Sequence, residues 1–174
     1  MSPLPGQQLV GVAVHVDEAD VGVVEDLVLG ADLSVVLGLV VELRRSERRA
    51  FLPWVAVSVA ADAVAVPSPT TILGEIELEH YLESGVRLSR LAGLPLAGDS
   101  LEPSVVSDAL VELPDGRATG LVLADSHGTR RVDLGQTRIR WTEGRLLELS
   151  ITRDASDGPE LAAREPALRR PVPA

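Results

Sequence analysis

A chain of 174 residues, 45% of them hydrophobic, is long enough for one ordinary domain or two very small ones and apolar enough to fold. Its formal charge of −10 opposes attraction to phosphate backbones and anionic lipid, which argues against nucleic acid as a partner and suits a basic protein surface better. The absence of Cys removes disulfides and thiolate chemistry and permits a reducing cytoplasm, and no stretch approaches the ~18 apolar residues of a membrane span.

The opening residues MSPLPGQQLVG show no basic region followed by a long apolar run, so no leader is expected. Val, Leu and Ile then come in short runs punctuated by Gly, Asp and Pro, the pattern of β-structure. Strands are expected at 9–16, 21–29, 35–43, 48–52, 56–60 and 63–66. Pro67 and Pro69 end this series, since neither offers an N–H to a ladder. Leu78 and Leu82, four apart and followed by Gly85, predict one short helix over 75–84. A second series follows at 91–97, 104–113, 118–124, 129–134, 137–142 and 145–151. Beyond it the residues mix Pro, Ala and both charges without periodicity, and disorder or weak helix is expected there.

The two series superpose without a gap at an offset of 82 residues. Leu9 meets Leu91, Gly11 meets Gly93, Val23 and Val24 meet Val105 and Val106, and Asp26 meets Asp108. Gly38, Leu39 and Val40 meet Gly120, Leu121 and Val122; Arg48, Arg49 and Leu52 meet Arg130, Arg131 and Leu134. Shared glycines and aspartates in one register point to duplication. The expected organisation is a first repeat at 1–66, a linker with a short helix at 67–88, a second repeat at 89–152 and a tail at 153–174.

The order GVVEDLVLGADLSVVLGLVVE then RRAFLPWVAV resembles the PRC-barrel domain, and LSRLAGLPL through VVSDALVELPDGRATGLVLA to RRVDLGQTRIRW is similar but weaker. Gly135 and Gln136 replace Pro53 and Trp54 in that alignment. The resemblance implies an all-β fold of two small antiparallel β-barrels in tandem, used as an interaction module. The family includes the cytoplasmic part of the photosynthetic reaction-centre H subunit and ribosome maturation factors that bind a small-subunit ribosomal protein. Neither job is carried over, because the sequence contains neither the membrane helix of the one nor the separate N-terminal domain of the other.

A repeat of about sixty residues buries only ~60% of the surface its unfolded chain exposes, so a second barrel offers the missing apolar contact. The G-L-V-V strand is apolar on both faces, where a lone barrel needs one polar face. If Leu39 and Leu121 fill the barrel interiors, then Val36, Val40, Ala118 and Val122 point outward. These four form the candidate interface, either between the halves or between chains; the alternative is that loops or the linker helix cover them. Trp54 is added as a barrel-end cap or partner anchor.

Chemistry is thinner. HVDEAD sets His15 beside Asp17, Glu18 and Asp20, yet no second His stands at ligand spacing. ADSHGTRR supplies Asp125, Ser126 and His127, but sequence neighbours do not adopt triad geometry and no G-x-S-x-G elbow accompanies them. No catalytic, metal or cofactor site is assigned, and no cofactor is expected. Arg44, Arg45, Arg48 and Arg49, with Arg130, Arg131, Arg138 and Arg140, fit phosphate or acidic peptide. Solvated hairpin ends paired with Glu42 and Glu47 are the more economical reading. The chain has one Phe, one Tyr and two Trp, too few for the stacking surface of single-strand binders. The expectation is a non-enzymatic interaction or scaffold module, bacterial and cytoplasmic, with a protein partner or self-association. The alternatives are an RNA-processing or ribosome-maturation accessory, or a metal-dependent or hydrolytic enzyme using His15 or His127.

Overall fold

The computed structural model describes residues 3–97, 104–142 and 145–151, so the tail at 153–174 lies outside the described residues. In chain order the first half contributes β1 (Leu4–Pro5), a 3-10 turn (Gly6–Leu9), β2 (Ala13–Val16), β3 (Ala19–Gly30), β4 (Val36–Leu43) and β5 (Arg49–Pro53). A second 3-10 turn (Trp54–Ala56), β6 (Ser58–Val59) and β7 (Ala63–Val66) complete it. A short turn (Pro69–Thr71) leads to α1 (Glu75–Ser84), β8 (Gly85–Arg87) and the single-turn α2 (Leu88–Leu91). The second half runs β9 (Pro95–Ala97), β10 (Ser104–Glu112), β11 (Arg117–Asp125), β12 (Gly128–Asp133), a 3-10 turn (Leu134–Gln136), β13 (Thr137–Thr142) and β14 (Arg145–Ile151).

The fold is all-β, two curled half-barrel sheets of the same order: β5-β4-β3-β2-β7-β6 and β12-β11-β10-β9-β14-β13. The sheets are not wholly antiparallel. Each contains one parallel pair, Val14 beside Val64 in the first and Leu96 beside Leu149 in the second. No helix among the described residues is long and apolar enough to cross a membrane.

Duplication is visible in the irregularities as much as in the ladders. Glu25 and Ser107 are extra residues in the β3–β4 and β10–β11 pairings, and Leu37 and Thr119 are extra residues on the facing strands. Gly11 and Gly93 take φ of +85° and +88°, and donate to Val24 O and Val106 O at 2.8 and 2.7 Å. Bulges of this kind re-aim side chains. The expectation that Val36 and Ala118 face outward is corrected by them. One unpaired residue on each strand shifts the alternation, so Val36 joins Leu39 and Val41, and Ala118 joins Leu121 and Leu123, in the main core.

The gapless offset of 82 also needs correction. Leu121 stands 82 residues after Leu39, but its partner Val132 stands only 80 after Leu52, the partner of Leu39. The hairpin between β11 and β12 is two residues shorter than its counterpart. An even shift leaves the in–out alternation in phase, which is why the sequence match survives it. The structural pairs are therefore Phe51 with Arg131, Leu52 with Val132, Pro53 with Asp133 and Trp54 with Leu134.

One core serves both halves. Leu9, Val24, Leu27, Leu29, Leu39 and Leu52 form a single cluster with Leu91, Val106, Ala109, Val111, Leu121 and Val132. At about 2 kcal/mol per fully buried aliphatic side chain, such a core dwarfs what either small sheet could assemble alone.

Candidate functional site

The two halves are strapped together by exchanged segments. Leu4 and Pro5, which open the first half, pair with Val111 and Leu110 of β10 in the second. Val86 and Arg87, which lead into the second, pair with Leu29 and Val28 of β3 in the first. Gly85 is extended here and ends α1 not by a left-handed cap but by close approach: a Cβ would lie 2.6 Å from Leu29 O.

Each strap is fixed by a buried aspartate of the other half. Asp26, 4% exposed, accepts from the Ser89 N–H at 3.1 Å and the Ser89 hydroxyl at 2.5 Å, so it caps the turn of α2. Its own neighbour Leu27 donates at 2.9 Å, and Arg87 Nε stands 3.7 Å away. Asp108, 7% exposed, accepts from Gln7 N–H at 3.2 Å and Ala109 N–H at 2.8 Å, so it caps the turn Gly6–Leu9. Each carboxylate meets backbone donors that a short helical turn leaves unsatisfied. Among the described residues Asp108 faces no such guanidinium, and burial raises its pKa above the usual Asp value against the pull of those N–H donors.

The hairpin tips meet on the pseudo-two-fold axis. Val36 N–H donates to Gly116 O at 2.7 Å and Ala118 N–H to Ser34 O at 2.9 Å, with Val35 and Arg117 between them as a single bridge. This is the reciprocal contact of an isologous interface, made within one chain. Trp54, 4% exposed, adds an unreciprocated lock: its indole N–H donates to Pro114 O at 2.8 Å. The ring lies against Gly116, whose φ of +70° and missing Cβ make room; an added Cβ would stand 2.4 Å from the indole nitrogen.

The five interface candidates thus divide. Val36, Ala118 and Trp54 lie where the halves meet. Val40 is fully buried beneath α1, in a second cluster with Val28, Phe51 and Leu78, and Tyr81 stacks on Phe51 at 4.0 Å. Gly38 permits that arrangement, since a Cβ there would stand 2.4 Å from the Phe51 ring. Val122, the counterpart of Val40, is half-buried.

His15 lies in β2 of the first sheet opposite Asp20, and His127 in the β11–β12 turn of the second, its N–H donating to Asp125 at 2.8 Å. Among the described residues no group of three His, Cys, Asp or Glu is arranged to hold a metal ion. Arg44 and Arg49 pair with Asp20 and Glu25 rather than with Glu42 and Glu47. Two open depressions stand out among the described residues. One of about 490 Å³ is lined by Glu25, Glu42, Arg48, Arg49 and Glu75, the other of about 590 Å³ by Asp17, Val55, Val57, Val66 and Pro67. Neither contains a histidine.

Sequence reasoning overlooked Arg87 and Ser89, and matched Asp26 with Asp108 without assigning them work. The signal was present: an aspartate inside each of the apolar runs VVEDLVL and VVSDALV must be capped or paired if it is buried. No protein-family model matches the chain, and no curated protein is significantly similar to it.

Proposed function

We propose that the chain is a non-enzymatic interaction or scaffold module built from two PRC-barrel-like repeats and working in a bacterial cytoplasm. The resemblance rests on the order of the pieces seen twice in the sequence, and the matching strand order of the two sheets supports the repeat. One observation carries the functional reading: the buried carboxylates, Asp26 and Asp108, are engaged in capping backbone between the halves. The polar interior is used for cohesion, and what remains for function is surface. An assembly that must hold a partner at a fixed orientation needs such rigidity, whereas a hydrolytic or metal-dependent enzyme using His15 or His127 needs those groups gathered with carboxylates in one cleft. Neither histidine lines either of the two depressions seen among the described residues.

The test is capture from the native host on the immobilised full chain. A protein retained in stoichiometric amount, and lost when the fold is broken by Val40→Arg, supports the module. Retention of RNA that declines with salt and disappears with nuclease points to the RNA-processing alternative. Turnover of a hydrolysable substrate abolished by His15→Ala or His127→Ala would return the enzyme reading.

A further inference from the structure

The corresponding edges of the two sheets are finished differently. In the first, Leu73 lies alongside β5 and exchanges both backbone hydrogen bonds with Phe51, each 2.9 Å long. α1 follows at once and lays Leu78 and Tyr81 over Val40 and Phe51. The linker thus adds an extended segment to the edge and an acidic helix, with Glu75, Glu77, Glu79 and Glu83, to the face behind it.

In the second sheet Arg131 stands in the place of Phe51, opposite Val122 as Phe51 is opposite Val40. Alternation along an antiparallel ladder then turns the N–H and C=O of Arg131, and of Thr129 two residues before it, away from β11. Among the described residues nothing pairs with that side of β12. Behind the edge Val122 is half-buried and Val105 is 37% exposed, while among the described residues the exposed Arg131 has no acidic partner. Arg130, beside it in β12, projects to the opposite face, where it reaches Asp125 at 4.0 Å and the Ser104 hydroxyl at 3.4 Å.

We infer that the outer edge of β12 is a docking site for an extended acidic peptide of a partner protein, which adds a strand at Thr129–Arg131 and sets its carboxylates against Arg131. This rests on the reading of the chain as an interaction module and names where and what it binds. Strand addition supplies affinity through main-chain hydrogen bonds, and the flanking side chains supply selectivity. A guanidinium at the edge selects acid and repels the same edge of a second copy. The chain's overall negative charge slows the approach of such a peptide, but local contacts fix its register.

The test uses the full-length protein and a synthetic peptide of alternating Glu and Val, capped at both ends. Titration followed residue by residue should move the amides of Thr129, Arg131 and Val122 and slow exchange at Thr129 and Arg131, with affinity falling as salt rises. Arg131→Pro deletes the outward N–H, leaves the β11 ladder intact and should weaken binding about tenfold, as should Arg131→Glu. Three results overturn the inference: exchange at Thr129 and Arg131 already slow in the free chain, which would mean the chain covers its own edge; binding unaffected by Arg131→Pro; or no binding at millimolar peptide. None of these touches the proposed function while the host partner is still captured. Loss of all protein capture by the unaltered chain removes that function, whatever the peptide does.

Discussion

Over Val40 of the first sheet lies a helix, with Phe51 and Tyr81 stacked beneath it; at the matching place in the second sheet Val122 is half-buried and Arg131 stands where Phe51 does. Yet the inner faces of the two halves agree down to their bulges and their buried aspartates. The difference teaches where duplication is constrained. The straps, bulges and aspartate caps that join the halves are written twice, because each half completes the other, while the Trp54 lock and the outward faces are not. The backbone straps and aspartate caps are symmetric and the outer surface is not.

Substitutions at equivalent positions can break this comparison. The largest contrast should come from Val40→Arg against Val122→Arg. The first buries an unpaired charge beneath α1, at a cost of several kcal/mol, comparable to the whole stability of a small domain. The second, half-buried, should cost about 1 kcal/mol or less. Denaturant midpoints measure both, and equal losses would mean Val122 is as enclosed as Val40. Next come Trp54→Ala, expected at about 3–5 kcal/mol, and Leu134→Ala at about 1 kcal/mol, since only the indole crosses to the opposite hairpin. Near-equal values would show that the lock contributes nothing beyond its area.

The aspartate caps follow. Asp26→Ala strands the Ser89 and Leu27 donors and leaves Arg87 without its carboxylate, for about 3 kcal/mol. Asp108→Ala strands only N–H groups and should cost about 1–2 kcal/mol. Calorimetry of both variants decides the order. The smallest effect is in pH. Burial raises Asp108, so the folded state takes up its proton more readily than the unfolded chain, and between the ordinary Asp pKa of about 3.9 and the raised value this group makes stability fall as pH rises. Asp32, held down by the hydroxyl and N–H of Ser34, acts oppositely: its contribution is present above the ordinary carboxylate range and is lost as pH falls below it. Asp108→Asn should therefore gain on the unaltered chain as pH climbs from the ordinary Asp pKa of about 3.9 through the raised value. A difference constant across that range would contradict the burial of a charge there.

Much of this was legible in the residues. Leu78 and Leu82 at helical spacing locate α1 to the residue, and recurring glycines and aspartates expose the repeat. The bulges at Leu37 and Thr119 were not legible, because an extra residue leaves no trace in composition while it reverses which side chains face inward. Nor was the two-residue shortening at His127, which an even period conceals. The straps were hidden for another reason: β1 is two residues long and pairs with strand β10 a hundred positions away, so nothing local announces it. Trp54 read as a cap or an anchor; only its distance to Pro114 made it the lock between halves.

The reciprocal straps make one further demand, that neither half opens without the other. Native-state amide exchange on the full chain measures this most directly, by comparing the amides of Leu27 and Leu29 with those of Ala109 and Val111 in the unaltered protein and in Trp54→Ala. All four should share one opening free energy and fall together by the same amount in the variant. If the second pair opened at a lower energy than the first and kept it when Trp54 was removed, the two sheets would be independent units and the shared core would not be what holds the molecule together.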